Sequence, residues 1–408
     1  MNNTALGRLL HPILTCYIKL RNFLFLSIVV ALGTASEQVT AYDMNPIDVD
    51  CWDLAALCSL TELTAEMKKP VHETMTLLAY DYYLNPERTQ GGKADTSAED
   101  PRKRGVLRDL VLGSEWNDDP DSLLRQNVVR AKQWYALFKD AQVQAQCVHD
   151  NSQKMCEGVK ITDTPMMLYR SHFGDFQFLH AMASHQSETA QETKDKMMEW
   201  ARFAYTLSIS SNSLGKETID GPIVSSFSNV SSLLKRQGWT VGALFDPVPG
   251  GEWIRSFGMT GLGRYQPSGV PRAQVQYKKN IQPSSIKHIA LGSLLHMIQD
   301  SYSDAHTERQ GGCNPLSKER AKIISFRDYV FQLSTDHAIA DGHPEWLKHG
   351  DLGKNNPLWA SAKIIQFSFR KAPWEGEVED FLSNEIFPLA FPEKLPTTGD
   401  PECYLGTG

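Results

Sequence analysis

Ala290-Leu-Gly-Ser-Leu-Leu-His296-Met-Ile-Gln-Asp300-Ser-Tyr-Ser-Asp-Ala-His306 is the stretch on which the reading of this chain turns. Its apolar positions describe a buried helix, and two histidines and a carboxylate are set into it. Neutral imidazole nitrogen and hard anionic oxygen are the donor mixture of a metal site. Residues four apart share a helix face, so His296 and Asp300 are placed to grip one ion. At about 100° per residue, a continuing helix turns His306 about 80° away from His296, beside that ion, which predicts two neighbouring metals. A His followed four residues later by an acid is expected about 1.4 times by chance in a chain with 12 His and 48 acidic residues. Two such pairs occur, His296/Asp300 and His337/Asp341. Adding His306 lowers the chance expectation to about 0.04, so the triple carries the weight.

The N-terminus reads as a signal peptide. Arg8, Lys19 and Arg21 precede the apolar run from Phe23 to Leu32, and small residues follow, with cleavage after Ala35 or after Ala41. The run is short for a membrane span, a retained anchor being the alternative. Residues 1–41 are therefore predicted to be removed on export, leaving 42–408 as one domain that is secreted or periplasmic. Cys16 leaves with the signal, so Cys51, Cys58, Cys147, Cys156, Cys313 and Cys403 remain. An even number in an exported chain favours disulfides. The close pairs Cys51/Cys58 and Cys147/Cys156 invite local bridges, leaving Cys313 with Cys403, one of fifteen possible connectivities. None has the spacing of a zinc knuckle, so none is read as a metal ligand. Removing residues 1–41 takes away three bases and one acid, and the formal net charge moves from -7 to -9. An acidic protein is poorly steered toward nucleic acid or anionic lipid.

Helical spacing dominates the rest. Leu124, Val128, Ala131, Tyr135 and Phe138 fall at three- and four-residue intervals between Leu123 and Val143, and Met197, Met198, Ala201 and Ala204 do so between Lys194 and Leu207. These aromatic and Met stripes are core. Ser284 or Ser285 is the expected cap of the helix that carries His296. Alternating patterns are scarce, so the fold class is all-α, mainly helical. Residues 85–105 read as a polar surface loop, and 211–283, rich in Ser, Gly and Pro, as a long insertion forming a lid or some short strands. Within it, Gly258-Met-Thr-Gly-Leu-Gly263 lacks the strand and helix context of a phosphate-binding loop.

Other candidates for chemistry are dispersed. His72 follows Pro70 and opens a helical pattern. Trp116-Asn-Asp118-Asp119-Pro120 places two carboxylates in a turn, which by itself reads as a cap for the next helix. Ser171-His172-Phe173 precedes an apolar segment, Phe176 to Ala183, where a helix is expected. A single His on such a face, His180, reads as a core residue, and His185 as exposed.

Together these residues resemble the zinc-dependent phospholipase C family, whose fold is shared with the fungal single-strand-specific zinc nucleases. The resemblance rests on Ala290–His296 followed by Asp300 and His306, on the downstream pair His337 and Asp341, on Ser171-His172-Phe173, on His72 and on Asp118, in the family's order along the chain. It implies a helical domain in which one zinc takes Asp118, His172, His296 and Asp300, and a second takes His306, His337 and Asp341. A third would take His72 and a bridging Asp300. The family completes that third site with an N-terminal Trp, and neither cleavage leaves one here, so two or three Zn2+ per chain are expected. The implied reaction is hydrolysis of a glycerophospholipid such as phosphatidylcholine, at a membrane surface, to diacylglycerol and a phosphorylated head group. Asp118 or Asp119 would orient the attacking water as general base. Trp253, Phe257, Met259 and Tyr265 either shape a lipid entrance or pack as an ordinary loop. No nucleic-acid ligand and no stable protein partner are expected. Two other readings stand beside this one. A zinc nuclease or 3′-nucleotidase would need a stacking platform and a positive groove. A secreted binding protein would keep the histidines as structural groups.

Overall fold

The computed structural model describes residues 71–85, 101–120, 128–150, 152, 154–157, 167–210, 224–237, 241–245, 283–310, 322–332, 337 and 356–397. The predicted signal peptide, Asp341, the cysteines other than Cys147 and Cys156, and Trp253, Phe257, Met259 and Tyr265 lie outside them. The described residues are mainly helical, as the spacing predicts.

The helix bearing His296 is central. It spans Pro283–Asp300, and every residue from Ile289 to Asp300 is buried. A helix covered on all sides is sequestered by its neighbours, and its apolar circumference is the reason. Proline starts it, at a position where the missing N–H would have had no partner. Ser284 and Ser285 therefore fall inside the first turn and do not cap it. We call this helix α8. It packs against α1 (Val71–Leu84), α2 (Pro101–Ser114), α5 (Ala190–Ile209) and α9 (Pro357–Phe369). Part of the predicted 85–105 loop is thus helical from Pro101 onward. Asn356 caps α9, its side chain accepting from Leu358 N, with Pro357 in the first turn. Thr189 and Glu192 form a reciprocal capping box at the start of α5, which is why that helix begins earlier than its apolar spacing alone indicates.

α3 (Val128–His149) buries Phe138 of the predicted stripe, and its end is tied by the Cys147–Cys156 disulfide, as expected from the spacing. α4 is short (Met167–Phe173). α6 (Ser228–Gln237) and α7 (Val241–Leu244) correct the reading of 211–283 as one loop-rich insertion. Val224, Phe227, Val230, Leu233, Val241, Leu244 and Phe245 are buried in the main core. Phe245 lies 5.1 Å from Trp116, which stacks on Trp200 at 5.6 Å. Glu199 on α5 pins the start of α6, accepting from Asn229 N at 2.7 Å.

Two short strands, β1 (Thr307–Arg309) and β2 (Ile323–Phe326), pair antiparallel with Thr307 opposite Phe326. The C-terminal stretch runs along β2, Ala390 N donating to Ile323 O at 2.8 Å and Thr397 N to Phe326 O at 2.9 Å. No helix among the described residues is long and apolar enough to cross a membrane.

Candidate metal centre

Buried polar side chains converge from seven segments. His72 stands in the first turn of α1, Asp118 in the turn after α2, and His172 in the last turn of α4. His180 closes a 3-10 turn (Gln177–His180), His296 and Asp300 lie one turn apart on α8, His306 precedes β1, and His337 lies beyond β2. All eight are almost wholly buried. Buried polar side chains in such number need a compensating partner.

Asp300 is the hub. Its Oδ1 is 3.1 Å from His72 Nε2, and its Oδ2 is 2.9 Å from both His180 Nδ1 and His296 Nε2 and 3.6 Å from His306 Nδ1. Asp118 Oδ1 is 3.8 Å from His180 Nδ1, 3.8 Å from His296 Nε2 and 3.9 Å from His172 Nε2. Three groups have donor atoms lying within 4.8 Å of one another: His72 with Asp118 and His296, His172 with Asp118 and His180, and His180 with Asp300 and His306. Each could hold a metal ion.

His306 reaches this place because the helix stops. Ser303 N bonds to Asp300 O at 2.9 Å and His306 N to Ser303 O at 3.2 Å, so the chain folds back instead of continuing the 100° progression. Thr307 Oγ1 and Arg309 Nε both donate to Ser301 O, at 2.8 and 2.6 Å, which fixes the return. The His337 ring then lies 5.0 Å from that of His306 and 4.2 Å from Tyr329.

The hydrogen bonds on the far side of each ring set the tautomers. His296 Nδ1 donates to Ser114 O (2.5 Å), His172 Nδ1 to Leu168 O (3.0 Å), His306 Nδ1 to His180 O (2.5 Å), and His180 Nε2 to Asn117 O (3.1 Å). His72 Nδ1 donates to Gln299 Oε1 (2.7 Å), whose amide nitrogen donates to Thr76 (3.2 Å). His337 Nδ1 donates to Gln332 Oε1 (2.5 Å), whose amide nitrogen donates to Ala305 O (2.7 Å). A carbonyl oxygen only accepts, and a neutral imidazole has one N–H, so the inward nitrogens carry lone pairs. Outward N–H groups anchored on carbonyls are how ligating histidines are oriented.

The inward side is then acceptor against acceptor. His180 Nδ1 and His296 Nε2 present lone pairs to an Asp300 oxygen at 2.9 Å and to each other at 3.0 Å. That arrangement repels itself unless a positive charge sits between the groups. Protons are disfavoured as that charge. Burial pushes the His296 pKa down to about 3, against the pull of Asp300. Burial likewise lowers His180, and lowers His172 well below the ordinary imidazole value, with His180 adding to the effect. For Asp300 burial acts upward, but His296, His306, His72 and the His180 contact outweigh it and hold the carboxyl well below the usual range. Neutral imidazoles around ionised carboxylate suit a metal cation.

Of the residues expected to bind metal, His72, Asp118, His172, His296, Asp300, His306 and His337 are brought together, and Asp341 lies outside the described residues. The expected neighbours Asp118, His172 and His296 lie together, as do His72 and Asp300, and the donor groups add His72 beside Asp118 and His296, and His180 beside Asp118 and His172. Asp118 faces imidazoles. Asp119, also buried, belongs to none of the three groups. His180 is the residue that the pattern missed. It is buried, as a core histidine would be, but it belongs to two of the groups. The expected helix over Phe176–Ala183 is a 3-10 turn ended by Ala181 in the left-handed conformation, φ 50. Helical spacing could not have aimed this ring. Compared with known proteins, the chain matches no family model, no curated protein and no solved structure.

Proposed function

We propose that this chain is a metal-dependent phosphodiester hydrolase, with Zn2+ as its ion and glycerophospholipid as its substrate. The observation that carries the metal reading is the inward lone pairs of His180 and His296 around ionised Asp300, and that of His172 beside Asp118. Imidazole nitrogen with carboxylate oxygen is a donor set that suits zinc. Asp118 and Asp300 each face several imidazoles, which favours closely spaced ions over a single one. Bound there, such ions would supply positive charge against the oxygens of a phosphate diester and acidify a water molecule.

The chain's own residues do the rest. Outward bonds from His72, His172, His180, His296, His306 and His337 to carbonyl oxygens keep every inner nitrogen unprotonated and aimed. Asp118 takes the proton of the attacking water, with the adjacent buried Asp119 as the alternative. The net charge of -7 speaks against a nucleic-acid substrate, and the resemblance in motif order to the zinc-dependent phospholipases C supports a phospholipid. Export through residues 1–41 belongs to the same reading, with which the Cys147–Cys156 disulfide is compatible.

Elemental analysis of the purified protein, coupled to hydrolysis of phosphatidylcholine vesicles and of single-stranded DNA before and after chelation, tests this. The expected result is two or three Zn2+ per chain and diacylglycerol release that chelation abolishes. Less than one tightly held metal per chain would sink the hydrolase reading. Cleavage of DNA with no action on phosphatidylcholine would transfer the chemistry to a nucleic-acid substrate.

A further inference from the structure

We propose that His180 is itself a metal ligand, binding through Nδ1 at the position that it shares with Asp118 and His172. The inference rests on the metal reading above and adds a residue to it. Three observations carry it. First, the Nε2–H of His180 is committed to Asn117 O at 3.1 Å, so Nδ1 holds the lone pair. Second, that lone pair is directed into the cluster, 3.8 Å from Asp118 Oδ1, while His172 Nε2 approaches the same oxygen at 3.9 Å. These separations are close to the roughly 3.4 Å expected between neighbouring ligands of a tetrahedral ion with ~2.1 Å bonds. Third, His172 Nε2 is fully buried and makes no hydrogen bond among the described residues. A buried imidazole nitrogen without a partner marks the same position from the other side.

His180 is distinguishable from the other rings. His72, His172, His296, His306 and His337 turn Nδ1 outward, whereas His180 turns Nε2 outward. It also acts through its backbone, because its carbonyl oxygen accepts the Nδ1–H of His306 at 2.5 Å. One turn of chain thus supplies a donor at one position and orients the ring at the next. A neutral imidazole in place of a second carboxylate also leaves the Asp118–His172 position one unit more positive.

The competing account makes His180 a doubly protonated imidazolium, donating from Nε2 to Asn117 O and from Nδ1 to Asp300 Oδ2, with no role toward metal. Histidine-selective nitrogen NMR on the full chain, first stripped with chelator and then titrated with Zn2+, separates the two. The expected spectrum has one cluster histidine as the Nε2–H tautomer whose Nδ1 resonance moves on zinc addition, and that signal is missing in His180→Ala. The same variant should hold about one Zn2+ fewer per chain, or bind it at least tenfold more weakly. His185→Ala, at a ring that is 60% exposed, should match the wild type. A His180 doubly protonated before and after zinc, or a folded His180→Ala with wild-type zinc content and affinity, would overturn the assignment and leave the hydrolase reading standing. A wild-type chain that binds no zinc would overturn both. The NMR measurement is made on the wild type, so a failure of His180→Ala to fold does not remove the test.

Discussion

Gly113 and Gly292 meet where α2 crosses α8, so closely that neither position can carry a side chain. A Cβ on Gly292 would lie 2.7 Å from Gly113 Cα and run into the Leu110 carbonyl oxygen. One on Gly113 would lie 2.8 Å from Gly292 Cα and run into Ile289 O. This crossing brings the end of α2 to α8, where Ser114 O receives the His296 Nδ1 proton at 2.5 Å. Two missing side chains therefore govern both the tautomer of His296 and the entry of the Asp118 turn into the cluster.

Gly292→Ala is expected to force the helices apart. Overpacking of this kind costs about 1–3 kcal/mol, and His296 loses its anchor as Ser114 recedes. Thermal unfolding should show a clearly lowered Tm, and elemental analysis a reduced metal content. A variant as stable and as metal-rich as the wild type would contradict the crossing.

Asp300→Asn should have opposite effects on the empty and loaded forms. An amide N–H can donate to the lone pair of His180 or His296, where the carboxylate only repels it, so the chelator-treated variant should gain about 1 kcal/mol over the chelator-treated wild type. Zinc affinity should fall by about 100-fold as the anionic hub is lost. Urea unfolding in chelator and a zinc titration measure the two effects, and equal zinc binding would refute Asp300 as a ligand.

Acid should weaken the metal-free protein early. His172, His180 and His296 have folded pKa values depressed below the ordinary 6.5, His296 to about 3. The unfolded chain therefore takes up more protons as pH falls below about 6.5, and the stability these rings allow above that value is lost progressively. Asp300, also depressed, adds loss in the same direction below its ordinary 3.8. Urea midpoints in chelator at pH 8, 6.5, 5 and 4 should fall in that order, and a flat series would show that the rings are not buried neutral.

Asn117 is a clamp. Its Nδ2 donates to Leu179 O at 2.7 Å and Ser293 O at 3.2 Å, and its Oδ1 accepts from Ser293 Oγ at 2.6 Å. It thus joins the Asp118 turn, the His180 turn and α8. Asn117→Ala leaves those buried carbonyls and the hydroxyl short of partners, at a cost of about 3 kcal/mol. Denaturant unfolding of the zinc-loaded protein checks this, and a loss below about 0.5 kcal/mol would remove the clamp from the account.

Much of this was legible in the chain. A run with His296 and Asp300 four apart predicts a buried helix with two inward donors, because the helical period alone places them. The spacing of Cys147 and Cys156 predicts their bridge. His306 was legible as a donor but not in its direction, which depends on the turn that Ser303 and Arg309 impose after Asp300. His180 was hidden because a 3-10 turn aims it. The reading of 211–283 as loop-rich overlooked the helices at Ser228–Gln237 and Val241–Leu244. The three-residue spacing of Val224, Phe227, Val230 and Leu233 was the signal that this part belongs to the core. Side-by-side glycines such as Gly113 and Gly292 leave no periodic mark, since their contact depends on how two distant helices cross.

The hydrogen bond between His72 and Gln299 spans 227 residues of chain. Contacts of such sequence separation form late, since the loop that they close must be ordered first. During synthesis, His72 and Asp118 emerge long before α8 exists, and at that stage they have neither Asp300 nor His296 to work with. No truncated product ending before α8 can assemble the donor set, so an ion held at the centre reports a chain that has been made and folded at least through α8.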